Sequence, residues 1–275
     1  MTTFKKHLAA ILSVLTIIPS MLGNVFAADI SNFTDFPSDW STPALRWAVE
    51  NDLLSGYDGK INGSANISRA EMAAIINRAF GAFNEDALSD YKDVSEKDWY
   101  FSDMAKAVRM GVFYGLDGNL LPNEPIIREQ TFAVLVRAFA LDCTDESVLS
   151  DFSDSCLISD WARPYTAAMI SNGYVQGSNG KINPNEPITR AEFAQLFYNI
   201  AGCFIDEVFE NQVINGNAIA RDSGTKLSNL TINGDLILAD GIGLTGIELT
   251  DVNITGRLLL RAGEKSVILK NVTVS

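Results

Sequence analysis

Three tryptophans, Trp40, Trp99 and Trp161, each stand 29 residues before an arginine, Arg69, Arg128 and Arg190, with no gap needed. Gly56, Gly115 and Gly177 lie 13 residues before those arginines, and Gly59, Gly118 and Gly180 lie 10 before them. An aromatic-x-Asp step precedes each tryptophan: Phe33-Thr34-Asp35, Tyr91-Lys92-Asp93 and Phe152-Ser153-Asp154. Fixed offsets repeated three times restrict the chain to an array of similar units, each too small to close a core alone.

Each unit reads as two helices around a turn. After the tryptophan, the apolar pairs Ala48-Val49, Ala107-Val108 and Met169-Ile170 predict a short amphipathic helix. Asp58-Gly59, Asp117-Gly118 and Asn179-Gly180 then reverse the chain, because both residue types tolerate positive φ. Ser68-Arg-Ala-Glu71 and Thr189-Arg-Ala-Glu192 are capping boxes opening a longer helix. Its buried stripe is Met72, Ile75, Ile76 and Ala79 in the first unit, and Phe193, Leu196, Phe197 and Ile200 in the third. The second unit gives Thr131, Val134, Leu135 and Ala138, with Phe132 beside its weak member. The three stripes predict long helices packed on one another.

The capping boxes put Arg69 and Arg190 at the first helical position, where the dipole favours anions over cations. One reading is an anionic ligand gripped by guanidinium and helix terminus together; the other is pairing with a nearby carboxylate. Each tryptophan offers a flat apolar face for a sugar ring, although aromatics more often fill cores. The glycines serve most often as backbone punctuation.

Composition removes many functions. Lys5, Lys6 and His7, the apolar run from Leu8 to Leu22 and the Val25-Phe26-Ala27 site read as an export signal over residues 1–27. Its removal takes the only histidine and two lysines, so the net charge of −13 becomes −15. A chain without imidazole runs no Ser-His-Asp or Cys-His chemistry and builds no histidine-containing zinc site. An acidic chain is a poor partner for nucleic acid or anionic lipid, and after signal removal no apolar stretch approaches a membrane span. No metal or cofactor is expected: the turns do not reproduce the alternating oxygen ligands of a calcium loop. Cys143, Cys156 and Cys203 carry no CxxC spacing; a Cys143–Cys156 bridge is one reading, but free or buried thiols are the commoner state for so few.

Taken together, Phe-x-Asp, Trp, Gly, Asp/Asn-Gly, Pro and Ile-Ser/Thr-Arg-Ala-Glu resemble three tandem S-layer homology domains over about residues 30–203. Ile188-Thr-Arg-Ala-Glu192 matches the family signature residue for residue. The resemblance implies a mainly α fold: a pseudo-threefold spindle with a central helix bundle and ligand grooves between units. It implies binding of secondary cell-wall polysaccharide, often bearing a pyruvate ketal, by a protein exported to the cell surface. By position it nominates Arg69, Arg128 and Arg190 with Trp40, Trp99 and Trp161, and in second rank Asp35, Asp93, Asp154, Gly56, Gly115 and Gly177. The repeats are placed at 30–84, 87–142 and 150–203. The middle one departs from the pattern: Ile126-Ile127-Arg128-Glu129-Gln130 lacks the N-cap hydroxyl, so unequal grooves are expected. Asp52 replaces the glycine found at Gly111 and Gly173.

Residues 208–275 carry a shorter repeat. Leu227–Ile232, Leu249–Ile254 and Leu269–Val274 lie 22 and 20 residues apart, Val213–Gly216 looks like an imperfect earlier turn, and glycines recur at corners. This predicts a short parallel β-solenoid, right-handed-β-helix-like, projecting outward as a stub. Such folds host polysaccharide lyases and hydrolases, but Asp235, Asp240, Glu248, Asp251 and Glu264 read first as corner and surface residues. The last rung is open: self-association, a further chain or lattice contacts of a surface-layer subunit would each cover it, or the solenoid is truncated and the chain a fragment of a longer protein. The Asn-x-Ser/Thr triplets at Asn32, Asn66, Asn229, Asn253 and Asn271 read as turn and strand chemistry.

The favoured function is thus a non-catalytic wall anchor; a wall-bound glycan-processing enzyme is the rival. If Arg190 grips the ligand, Arg190→Ala weakens binding to purified walls more than Arg190→Lys; equal, unimpaired binding by both variants would remove the arginine from the site.

Overall fold

The computed structural model of the chain describes residues 30–142, 145–261 and 267–275; the segment 1–27 read as an export signal, Cys143 and Glu264 lie outside the described residues. Among the described residues, six α-helices form three pairs. The short ones are α1 (Thr42–Glu50), α3 (Phe101–Arg109) and α5 (Arg163–Ser171). The long ones are α2 (Arg69–Phe80), α4 (Arg128–Phe139) and α6 (Arg190–Ala201). Between the members of each pair the predicted turns form, with positive φ at both central residues: Asp58-Gly59, Asp117-Gly118 and Asn179-Gly180. None of the described helices is long and apolar enough to cross a membrane.

Every residue of the three predicted stripes is buried. The long helices meet through Phe80, Phe139 and Phe197, whose ring centroids lie 5.3 Å and 5.4 Å apart in successive edge-on contacts. Just ahead of these helices, three buried isoleucines exchange backbone hydrogen bonds in a closed ring. The Ile67 amide donates to the Ile188 carbonyl (3.1 Å), Ile188 to Ile126 (3.0 Å) and Ile126 to Ile67 (3.0 Å). The long helices therefore start together and run the same way into one core.

The C-terminal part is a parallel solenoid of two four-stranded sheets. Short strands β1 (Cys203–Ile205), β3 (Ala218–Ala220), β5 (Leu236–Leu238) and β7 (Leu258–Leu260) stack in one sheet. Longer strands β2 (Phe209–Asn215), β4 (Lys226–Asn233), β6 (Ile247–Ile254) and β8 (Val267–Val274) stack in the other. The imperfect turn at Val213 is a full strand, with Val213 opposite Thr231 and Ile214 opposite Ile232. Asn211, Asn229, Asp251 and Asn271 all hold positive φ, and Asn229 and Asn271 donate to Asn211 and Asp251 of the preceding rung. Asn229 and Asn271, two of the triplet asparagines, thus serve strand chemistry, as read. With eight strands among the described residues, the expectation of a mainly α chain holds for the repeats alone: the Val/Ile/Leu/Thr-rich C-terminal segment alternates with period two and forms sheet.

The solenoid does not project as a free stub. Its short-strand sheet lies across the C-terminal ends of the helices, and Ile219, Ile237 and Ala239 are buried in the same core as the repeats. Arg221 donates to the carbonyls of Asn51 (3.2 Å) and Arg78 (3.5 Å), ending α1 and α2. Arg257 donates to Phe139 (3.4 Å) and Ala140 at the end of α4. Arg261 donates to Met110 (2.9 Å) after α3 and to Arg137 and Ala138 (both 3.4 Å). The Asn217 amide donates to Ile200 in α6 (2.8 Å). Cations and donors there satisfy carbonyls that a helix leaves free. Asp206, Asp235 and Asp240 hold the three guanidiniums at 2.7, 2.7 and 3.1 Å.

Gly81 makes this docking sterically demanding. It has φ +60°, and a Cβ there would stand 2.2 Å from the Arg221 carbonyl oxygen. Gly173 has φ +75° but open space around it, and Asp52 occupies the corresponding place in the first repeat at φ 57°. Gly81→Ala is expected to cost about 2 kcal/mol or more, adding a clash to the roughly 1 kcal/mol of left-handed strain that Gly173→Ala alone incurs. Chemical denaturation of both variants checks the difference.

Candidate binding grooves

Arg69 and Arg190 sit where the capping boxes put them, at the first residue of α2 and α6, and Arg128 takes the same place in the uncapped α4. Each reaches into another repeat. The Nε of Arg69 donates to Leu120 (2.7 Å), that of Arg128 to Ile182 (2.8 Å) and that of Arg190 to Ile61 (3.1 Å). Their backbone amides follow the same cycle, to Glu124, Glu186 and Ala65. One Nη1 donor goes to the N3 residue of a neighbouring long helix: Arg128 to Glu192 and Arg190 to Glu71, both at 3.3 Å, and Arg69 to Gln130 at 3.4 Å. The carboxylate-pairing reading of these arginines is therefore met at two of three positions. A loss of wall binding in Arg190→Ala would report loosened repeats as well as any lost ligand contact.

Burial lowers the proton affinity of all three guanidiniums. Glu192 with Asp154 opposes this at Arg128, and Glu71 opposes it at Arg190. At Arg69 the opposing charge is Asp93.

The second-rank residues have defined structural work. Asp35 accepts from the amides of Ile61 (2.7 Å) and Asn62 (2.9 Å), Asp93 from Leu120 (2.9 Å) and Leu121 (2.7 Å), and Asp154 from Ile182 (2.9 Å) and Asn183 (2.7 Å). Each carboxylate thus pins the segment whose carbonyl receives a signature arginine from another repeat. Gly56, Gly115 and Gly177 lie beneath the aromatic of the same step; a Cβ would fall 2.2–2.7 Å from the Phe33, Tyr91 or Phe152 ring.

The tryptophans are not core residues. Trp40, Trp99 and Trp161 are 59%, 65% and 49% exposed, whereas Trp47, outside the signature, packs against Phe197 and Phe204. Two of them close grooves between repeats. The first groove, about 360 Å³, brings together Arg69, Gly115 and Trp161, one from each repeat. The second, about 790 Å³, brings together Arg128, Gly177 and Trp40, again one from each. Arg190 makes the corresponding approach to the first repeat, its Nη2 donating to Ser55 beside Gly56 (3.3 Å). Trp99 lies edge-on to Tyr100 and lines neither groove.

Residues 32–73, 90–132 and 151–194 match the family model of the S-layer homology domain. The chain carries three tandem S-layer homology domains. It is 32% identical over 199 residues to a surface-layer 125 kDa protein of Lysinibacillus sphaericus, a match covering 70% of this chain and 17% of that one. It is 30% identical over 173 residues to an amylopullulanase of Thermoanaerobacterium thermosulfurigenes, covering 61% and 9%. The match to S-layer protein EA1 of Bacillus anthracis, 27% over 260 residues, covers 92% and 28%, so it runs past the repeats into the solenoid. The chain thus spans less than a third of each of these relatives, and such domains and relatives mark it as an exported, cell-surface protein.

Sequence reasoning missed Arg137, which stacks between the rings of Tyr114 (4.6 Å) and Tyr165 (4.7 Å) on the wall of the first groove. Its repeat offset, shared with Arg78 but occupied by Asn199 in the third unit, was the available signal. Also missed was Glu129, which is 2% exposed and accepts from the Ser159 amide (3.0 Å) and hydroxyl (2.7 Å), tying α4 to the third repeat. The predicted lack of a cap on α4 holds: Ile127 makes no side-chain cap bond, whereas both boxes form at Ser68 and Thr189. Ile127→Thr should stabilise the chain by about 1 kcal/mol; an unchanged or lowered denaturation midpoint would show that the Ile127 side chain contributes more than the missing cap.

Proposed function

We propose that this chain is a non-catalytic anchor that holds a surface protein on the bacterial wall by binding anionic secondary cell-wall polysaccharide between its S-layer homology domains. The closed isoleucine ring and the cyclic arginine contacts support a pseudo-threefold spindle around the long helices. The observation that carries the reading is the composition of the grooves. An arginine at a helix start, a glycine turn and an exposed tryptophan converge from three different repeats, twice. A sugar ring has an apolar face for the indole, and a carboxylate on it suits the guanidinium and helix terminus.

The enzymatic alternative finds less support in the solenoid. Asp235 and Asp240 hold arginines against the helix ends, Glu248 accepts from Lys270 (2.8 Å), and Asp251 accepts from Asn271 (2.6 Å). Carboxylates committed to such pairs are poor candidates for paired acid and base work. That relatives named amylopullulanase and exoglucanase match over only 9% and 16% of their lengths fits a shared attachment module.

The test is sedimentation of the whole chain with purified wall sacculi, before and after chemical removal of the polysaccharide. Truncation near residue 205 would strip Arg221, Arg257 and Arg261 from the helix ends. Binding is expected to disappear with the polysaccharide and to change little with added salt, because the acidic chain gains nothing from long-range attraction. Trp40→Ala and Trp161→Ala should each weaken it about tenfold while stability stays within about 0.5 kcal/mol, as for other surface changes. Equal binding to stripped walls would refute the anchoring reading.

A further inference from the structure

The two grooves differ in charge, and the difference originates at one position. Each long helix presents its N3 residue to a signature arginine from another repeat. That residue is Glu192 for Arg128 and Glu71 for Arg190, but Gln130 for Arg69. Arg128 and Arg190 accordingly sit in ion pairs, whereas among the described residues Arg69 has no ion-pair partner. Its side chain is held only by neutral acceptors, the Leu120 and Tyr114 carbonyls and the Gln130 amide oxygen. Arg69 is also 9% exposed, so its charge is desolvated with no carboxylate in contact; Asp93 acts on it only from beyond ion-pair distance. Taking a charge out of water without a partner is costly, and an anion arriving beside it recovers part of that cost.

The surroundings add to the contrast. The first groove holds two arginines, Arg69 and Arg137, against one carboxylate, Glu129, whose oxygens are both committed to Ser159. Arg137 forms no ion pair among the described residues; its charge is spread over two tyrosine rings. In the second groove, Arg128 and Lys181 are balanced by Glu186 and Glu192. The rest of its polar lining is neutral, with Gln176, Ser178, Gln195 and Asn199 among it.

Resting on the anchoring reading above, we infer that the grooves divide the labour: the first takes the carboxylate-bearing sugar and the second a neutral stretch of glycan, with Gln130 setting the preference. A glutamate at 130 would do for Arg69 what Glu192 does for Arg128, and an incoming carboxylate would then meet a guanidinium already paired.

Titration calorimetry of the full chain tests this with a pyruvate-ketal hexoside and its methyl ester. The acid is expected to bind at one site per chain, roughly tenfold or more tighter than the ester, the margin of a charge-assisted pair. Gln130→Glu should abolish that preference without lowering the denaturation midpoint, since it completes an ion pair that the other repeats already carry. Glu192→Gln, which retains a side chain able to cap the helix, should raise the stoichiometry for the acid from one site to two. Equal binding of acid and ester, no binding of the acid, or a preference that survives Gln130→Glu would overturn the division of labour. Wall sedimentation separates the two ideas. Polysaccharide-dependent binding alongside any of those results sinks only this inference, whereas binding indifferent to the polysaccharide sinks the anchor itself.

Discussion

The structure depends on one side chain reaching out of its own repeat. An arginine at a helix start faces the positive end of a dipole, an unfavourable place for a cation. Here it is repeated three times because its fork leaves the helix and satisfies carbonyls presented by another unit. The aspartate of the aromatic-x-Asp step makes those carbonyls available by holding the adjacent amides. The glycine lets the aromatic of that same step pack directly against the turn. The motif is therefore a cross-repeat joint, and the grooves are the space left beside each joint.

Much of this was legible from spacing. The helices, their starts at Arg69 and Arg190, the positive-φ turns and the buried stripes all follow from local patterns, and local patterns are what a linear reading handles well. The partners of the arginines were hidden for a physical reason. Most are backbone carbonyls more than forty residues away, and a carbonyl carries no residue identity to recognise. The exposure of the tryptophans was hidden too, since indole serves core and surface alike and only the packing of neighbouring units decides.

The solenoid shows the opposite balance. Its rungs were legible as a period, but its docking was not. Asn217, Asp235 and Arg257 occupy successive corners, linked by side chain to backbone amide, Asn217 to Asp235 (2.9 Å) and Asp235 to Arg257 (2.7 Å). The change from acid to base at equivalent corners was visible in Asn233-Gly-Asp and Thr255-Gly-Arg, and it announces a stacked ion pair. That the spare donors of the arginine end a helix of another domain is a tertiary fact with no local trace.

Covalently, the solenoid hangs from α6 alone, through the single residue Gly202. Mechanically it does not. Arg221, Arg257 and Arg261 tie its short-strand sheet to the ends of α1, α2, α3 and α4, and Asn217 ties it to α6. A pull on the solenoid is therefore shared among the helix ends and carried along the long helices to the grooves at their other ends. Tension meets many hydrogen bonds loaded together instead of one linker that peels open, so strain from whatever the solenoid bears spreads over all three repeats.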